Sequence, residues 1–124
     1  MIKPAWRRAL RLGYWAVVIA VFVVAVAPIN DVGPPGSDKF EHFFAFLALG
    51  VGAGVLYGQS PLWLIGALLI AYGGGIELVQ GLPFVHRDCS LFDWLTDIGG
   101  VAGSAVLLLL SGLRARARLD KPMA

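Results

Sequence analysis

The chain has 124 residues, of which 58% are hydrophobic and only 15% charged, with a formal net charge of +2. Soluble domains carry about 25% charged residues, so this composition argues against a water-facing globule. It also argues against a nucleic-acid partner. Eight of the ten Lys and Arg residues flank apolar runs at the two ends of the chain, which suits tails that meet anionic lipid headgroups. Cys89 is the only cysteine, which leaves no intrachain disulfide and no Cys-rich zinc site.

The first apolar segment, 12–29, follows Lys3, Arg7, Arg8 and Arg11. A basic start, an apolar stretch and Ala25-Val26-Ala27 also fit a signal peptide, but Pro28 directly after that triplet disfavours cleavage. Trp6, Tyr14 and Trp15 sit where interfacial aromatics anchor a span, so a retained helix is expected. Gly33-Pro34-Pro35-Gly36 then forms a rigid turn.

The second segment, 40–57, opens on Asp38, Lys39, Glu41 and His42. Asp38 and His42 are four residues apart and share a helical face; Asp38 can also cap the helix. Phe43, Phe44 and Phe46 read as lipid-facing or core aromatics, and Gly50, Gly54 and Gly58 recur every four residues, a spacing for close helix packing. The uncharged Gly58-Gln59-Ser60 is a short loop, with Ser60 as N-cap and Pro61 as first residue of the third segment, 61–79. Glu77 lies about a turn inside the apolar boundary, where a bare carboxylate is costly, and Gln80 follows three residues later. Gly73 and Gly74 let another helix approach beside them.

His86, Arg87 and Asp88 form the next loop, with His86 and Asp88 read as surface residues. The fourth segment, 91–113, carries Asp93, Asp97, Gly100 and Ser104 as one narrow stripe, with Gly99 and Gly103 as further packing glycines. A mobile basic tail, 114–124, ends the chain.

Each segment is long enough to cross the hydrocarbon as a helix, which needs about 20 residues, and in lipid a helix satisfies its own backbone. The expected fold is all-α: one domain over 1–124, a polytopic membrane protein of four transmembrane helices. The basic tails put the N- and C-termini in the cytoplasm. That topology sends the polar ends of spans two, three and four to the outer face. Antiparallel neighbours joined by short loops pack side by side, which would gather Asp38, Lys39, His42, Glu77, Gln80, Arg87, Asp93 and Asp97 into one cluster. The alternative for this cluster is structural: a capped helix at Asp38, a snorkelling Lys39 and a Glu77–Arg87 ion pair.

The series Asp38-Lys39-x-x-His42-x-x-x-Phe46, Glu77-x-x-Gln80 and Arg87-x5-Asp93-x3-Asp97-x2-Gly100 resembles the VanZ-like family of bacterial membrane proteins. The resemblance covers about 38–104. It departs from the family pattern at Asp97, where Asn is frequent, and at Ser104, where a second Gly is usual. It implies a small integral protein of the bacterial cytoplasmic membrane, often with four or five spans, and the importance of the eight polar residues named above. The founding member is associated with low-level teicoplanin resistance in glycopeptide-resistance clusters; most members occur outside them. The resemblance supplies no reaction.

Three functions fit the residues. The first is binding or processing of an amphiphilic envelope molecule, such as a lipid headgroup, lipid-linked saccharide or cell-wall precursor. Its anion would meet Arg87 and Lys39, and its hydroxyls and amides Gln80, Asp93 and Asp97. The second is an enzyme with His42 as acid or base, oriented by Asp38 or Glu77. The third is a proton-coupled transporter switching on Glu77. A structural partner without a small ligand is the remaining class. Membrane lipids are the expected partners. No cofactor motif or hydrolase signature occurs, and one His plus scattered acids gives no firm metal-ligand spacing, so neither a cofactor nor a metal is expected.

Overall fold

The computed structural model describes residues 3–27, 37–85 and 90–119, without the side chains of residues 37, 38, 117 and 118. Five helices follow in chain order: α1 (Pro4–Val26), α2 (Ser37–Leu56), α3 (Leu62–Gln80), α4 (Leu91–Ser111) and the short α5 (Leu113–Leu119). The first four are long and apolar enough to cross a membrane. Among the described residues there is no strand.

The helix bounds depart most from the apolar segments at the start. α1 begins at Pro4, eight residues before residue 12, with Pro in the N-terminal turn where its missing N–H costs nothing. Its first turns are basic and amphipathic rather than apolar, which hydropathy does not detect. Pro61, not Ser60, is the N-cap of α3, and no side chain caps that end. α2 starts at Ser37, so Asp38 stands inside its first turn. The tail is not mobile throughout. Gly112, in the left-handed region at φ 67°, ends α4, and α5 carries the helical chain on to Leu119.

α2 and α4 form the most intimate pair of helices, and α3 packs on α4. The reason is the small residues foreseen on α2 and the stripe on α4. A Cβ on Gly50 would overlap the Ser104 side chain, and one on Gly54 would overlap Leu108. A Cβ on Gly100 would lie 2.5 Å from the Phe43 carbonyl oxygen and 3.0 Å from the Leu47 nitrogen. Only hydrogen at these positions lets the two backbones approach this closely. Phe46, Leu49, Ile65, Leu69, Ile76 and Val101 fill the space between α2, α3 and α4.

α1 has no fully buried residue. Side chains that bond neighbouring backbones help hold it. Tyr14 Oη donates to Leu49 O at 2.9 Å, Tyr72 Oη to Val18 O, and Gln80 Nε2 to Ala25 O at 2.8 Å. The outward faces of the helices carry Val17, Ile19, Trp63, Leu68, Leu109 and Leu110, all exposed. Apolar surface of this extent is costly in water and neutral in lipid, in keeping with a multi-pass membrane protein.

The two ends of the bundle differ in charge. At one end, Arg11 donates to Leu56 O at 3.1 Å and stacks over the Tyr57 ring, while Arg114 donates to the carbonyl oxygens of Gly54, Gly58 and Ser60. The C-terminal ends of α1 and α3 and the N-terminal ends of α2 and α4 meet at the other end, which holds the acids.

Candidate functional site

The acidic end is built by three helices. α2 supplies Lys39 and His42 from its first two turns, α3 supplies Glu77 and Gln80 from its last turn, and α4 supplies Asp93 and Asp97 from its first two. Glu77, Gln80, Asp93 and Asp97 are all buried, and Asp97 is 0% exposed. Carboxylates so enclosed need partners, because removing an ion from water costs several kcal/mol even after relaxation (about that order).

The partners are incomplete. His42 Nδ1 lies 2.8 Å from Asp97 Oδ1, and an ionised carboxylate there accepts the Nδ1 proton. Lys39 Nζ stands 3.4 Å from Asp93 Oδ1, which supplies charge without a directed hydrogen bond. Glu77 Oε2 accepts the backbone N–H of Ser90 at 2.9 Å, tying the start of α4 to the end of α3. Gln80 spends its amide N–H on α1. Glu77 Oε1, Gln80 Oε1 and Asp97 Oδ2 are buried with no hydrogen-bond partner among the described residues. Buried polar atoms are normally satisfied, so three such oxygens at one end of a small bundle point to something that meets them.

Glycine makes the room. A Cβ on Gly73 would sit 2.8 Å from Asp97 Oδ2, and one on Gly74 would sit 3.3 Å from Trp94 Nε1. Asp97 thus rests against the α3 backbone one turn before Glu77. One ring nitrogen of His42, one oxygen of Glu77 and one oxygen of Asp97 all lie within 4.8 Å of one another.

Lys39, His42, Glu77, Asp93 and Asp97 therefore converge as the sequence suggested, whereas Gln80, one turn from Glu77, bonds α1 instead. Asp93, Asp97, Gly100 and Ser104 share one buried stripe. Two further points differ. The carboxylate that meets His42 is Asp97, not Glu77, because α2 lies closest to α4. The same convergence gives His42, Glu77 and Asp97 the proximity of a ligand set that their spacing in sequence did not. Glu41 is exposed and takes no part, whereas Phe46 is core at 1% exposure and Phe44 faces outward. The Asp38 side chain and the whole of His86, Arg87, Asp88 and Cys89 lie outside the described residues. Ser90 and Trp94 were not anticipated as site residues. Trp94 Nε1 donates to Ile70 O at 3.0 Å and walls the cluster beside Gly74. The available signal was a Trp one turn into an apolar helix, whose N–H needs a partner.

No protein-family model matches the chain, and no curated protein or solved structure matches it. The functional reading therefore rests on the residues themselves.

Proposed function

We propose that this chain is a VanZ-like protein of the bacterial cytoplasmic membrane whose polar end binds or processes the head of an amphiphilic envelope molecule. The observation that carries the reading is the group of buried oxygens on Glu77, Gln80 and Asp97 that have no partner among the described residues, at one end of an apolar bundle. A lipid headgroup, lipid-linked saccharide or cell-wall precursor carries hydroxyl or amide donors on its head and a tail suited to the exposed apolar flanks of α1, α3 and α4. Lys39, half-exposed beside Asp93, and Arg87 in the following loop are the groups for its anion. With the basic end cytoplasmic, this end of the bundle lies toward the outer face.

Native mass spectrometry of the protein released from its own membrane tests the reading. The wild-type chain should retain a discrete lipid or lipid-linked species, and Arg87→Ala and Gln80→Ala should lose it. Equal retention by all three proteins, or retention of bulk phospholipid alone, would sink it.

A second reading draws on the His42–Asp97 hydrogen bond. A carboxylate that orients an imidazole is the arrangement of a general acid or base. If His42 works on a bound head, His42→Gln abolishes cellular function while leaving the lipid species in place. The proton-coupled transporter receives less support, because the acids of the spans crowd a single end of the bundle.

A further inference from the structure

We infer that His42, Glu77 and Asp97 form a binding site for one divalent transition-metal ion of the zinc or manganese class, lodged between α2, α3 and α4. The ligand atoms are already within 4.8 Å of one another. Two ligands about 2.0–2.1 Å from an ion are about 2.9 Å apart at the right angle of an octahedral shell and about 3.3 Å apart in a tetrahedral one. The 2.8 Å hydrogen bond between His42 Nδ1 and Asp97 Oδ1 would open by a few tenths of an ångström, at most about 0.5 Å, to take an ion between them. Glu77, within 4.8 Å of the other two ligand atoms, must close by up to about 2 Å, within the reach of a Glu side chain.

The state of each carboxylate fits the assignment. Glu77 uses Oε2 to accept from Ser90, which fixes the group, and Oε1 has no partner among the described residues. Asp97 Oδ2 likewise has no partner among the described residues and lies against the Gly73 backbone. Both side chains are more than nine-tenths buried, at 5% and 0% exposure. A ligand held by a backbone N–H on its second oxygen is the usual outer support of a metal site.

Charge favours an ion over a bare cluster. Lys39 faces Asp93, and among the described residues no Lys or Arg lies within ion-pair distance of Glu77 or Asp97. Two ionised carboxylates with a neutral imidazole carry two negative charges in an apolar surround, and a divalent cation cancels both. On entry the ion takes Nδ1, and the neutral ring carries its single proton on Nε2 instead, so the imidazole stays neutral and no net proton is released from it. One imidazole nitrogen with two carboxylate oxygens suits zinc or manganese better than calcium or magnesium, which favour all-oxygen shells. The site stands whether or not an amphiphile binds.

The test uses the full-length, tag-free protein in detergent, stripped with chelator, dialysed against Zn2+ or Mn2+ and analysed for metal per chain. The expected result is one ion per wild-type chain, with affinity lowered about ten-fold or more in Glu77→Gln and Asp97→Asn and unchanged in Glu41→Gln. Folded wild-type protein that retains no ion overturns the site, as does unchanged affinity in folded Glu77→Gln and Asp97→Asn. Arg87 is the rival cation: ion binding by Arg87→Ala but not by the wild-type chain also overturns it. If the carboxylate variants do not fold, Co2+ in the wild-type protein decides. Weak visible bands without thiolate charge transfer support the three ligands, and a thiolate band puts the ion on Cys89 and overturns them.

Discussion

The His42 imidazole and the Asp97 carboxylate, 55 residues apart in sequence, meet at 2.8 Å between α2 and α4. Asp97 is 0% exposed, so neither water nor lipid can take over its role. Asp97→Ala strands the His42 ring in the interior and should cost about 1–3 kcal/mol, the penalty of an unsatisfied buried donor. Asp97→Asn keeps an oxygen acceptor and should cost clearly less. Thermal unfolding in detergent measures both. Equal losses would mean that the ionised carboxylate itself, and not an oxygen acceptor of the same shape, holds this position.

Gly100 is the position where α2 and α4 approach most closely through the backbone. Gly100→Ala would force a methyl group against the Phe43 carbonyl oxygen. Backbone gives way less readily than a side chain, so a loss of about 1–3 kcal/mol is expected. Gly75→Ala is the control, since nothing lies within 4 Å of its added methyl, and its melting temperature should be unchanged or slightly raised. A tolerated Gly100→Ala would contradict the close α2–α4 approach.

Gly50 and Ser104 share one small space. Gly50→Ala drives its methyl into the Ser104 side chain and should destabilise the pair of helices. Ser104→Gly empties that volume, so the double variant should recover part of the loss. A thermodynamic cycle reads this as a coupling of about 0.5–3 kcal/mol. Additive losses would show that the two residues do not touch.

Arg114 closes the basic end. Its guanidinium bonds three carbonyl oxygens, at Gly54, Gly58 and Ser60, around the turn between α2 and α3. Arg114→Ala should lower stability by up to about 1.5–3 kcal/mol, the range for hydrogen bonds from a charged group, and Arg114→Lys should restore little because an ammonium lacks the planar fork. Arg116, which is exposed, should be replaceable at no measurable cost. Similar melting curves for the Arg114 and Arg116 variants would remove Arg114 from the packing.

The orientation has a native reporter in Cys89, the only cysteine, between α3 and α4. With the basic tails cytoplasmic, a membrane-impermeant maleimide should label it in intact spheroplasts. Labelling that appears only after permeabilisation would reverse the topology.

The four long helices were legible because each is an apolar run of membrane-spanning length, and lipid leaves such a run little alternative to a helix. Glu77 and the Asp93–Asp97–Gly100–Ser104 stripe were legible for a related reason. An acid inside an apolar run is costly unless something meets it, and helical periodicity fixes which residues share its face. The early start of α1 at Pro4 was not legible, since its basic first turns carry no hydropathy signal. Nor was α5, where the left-handed Gly112 turns the chain and Arg114 gains the carbonyl oxygens of another loop.

Composition and period are local properties, and they sufficed to place the apolar helices, with acids toward one end and basic groups toward the other. Which acid meets His42 was decided by the tertiary structure alone. Gly50, Gly54 and Gly100 draw α2 against α4, and that approach delivers Asp97 to the imidazole while Glu77 turns to Ser90. Helix pairing depends on how whole faces fit together, and no spacing along one strand of sequence specifies it.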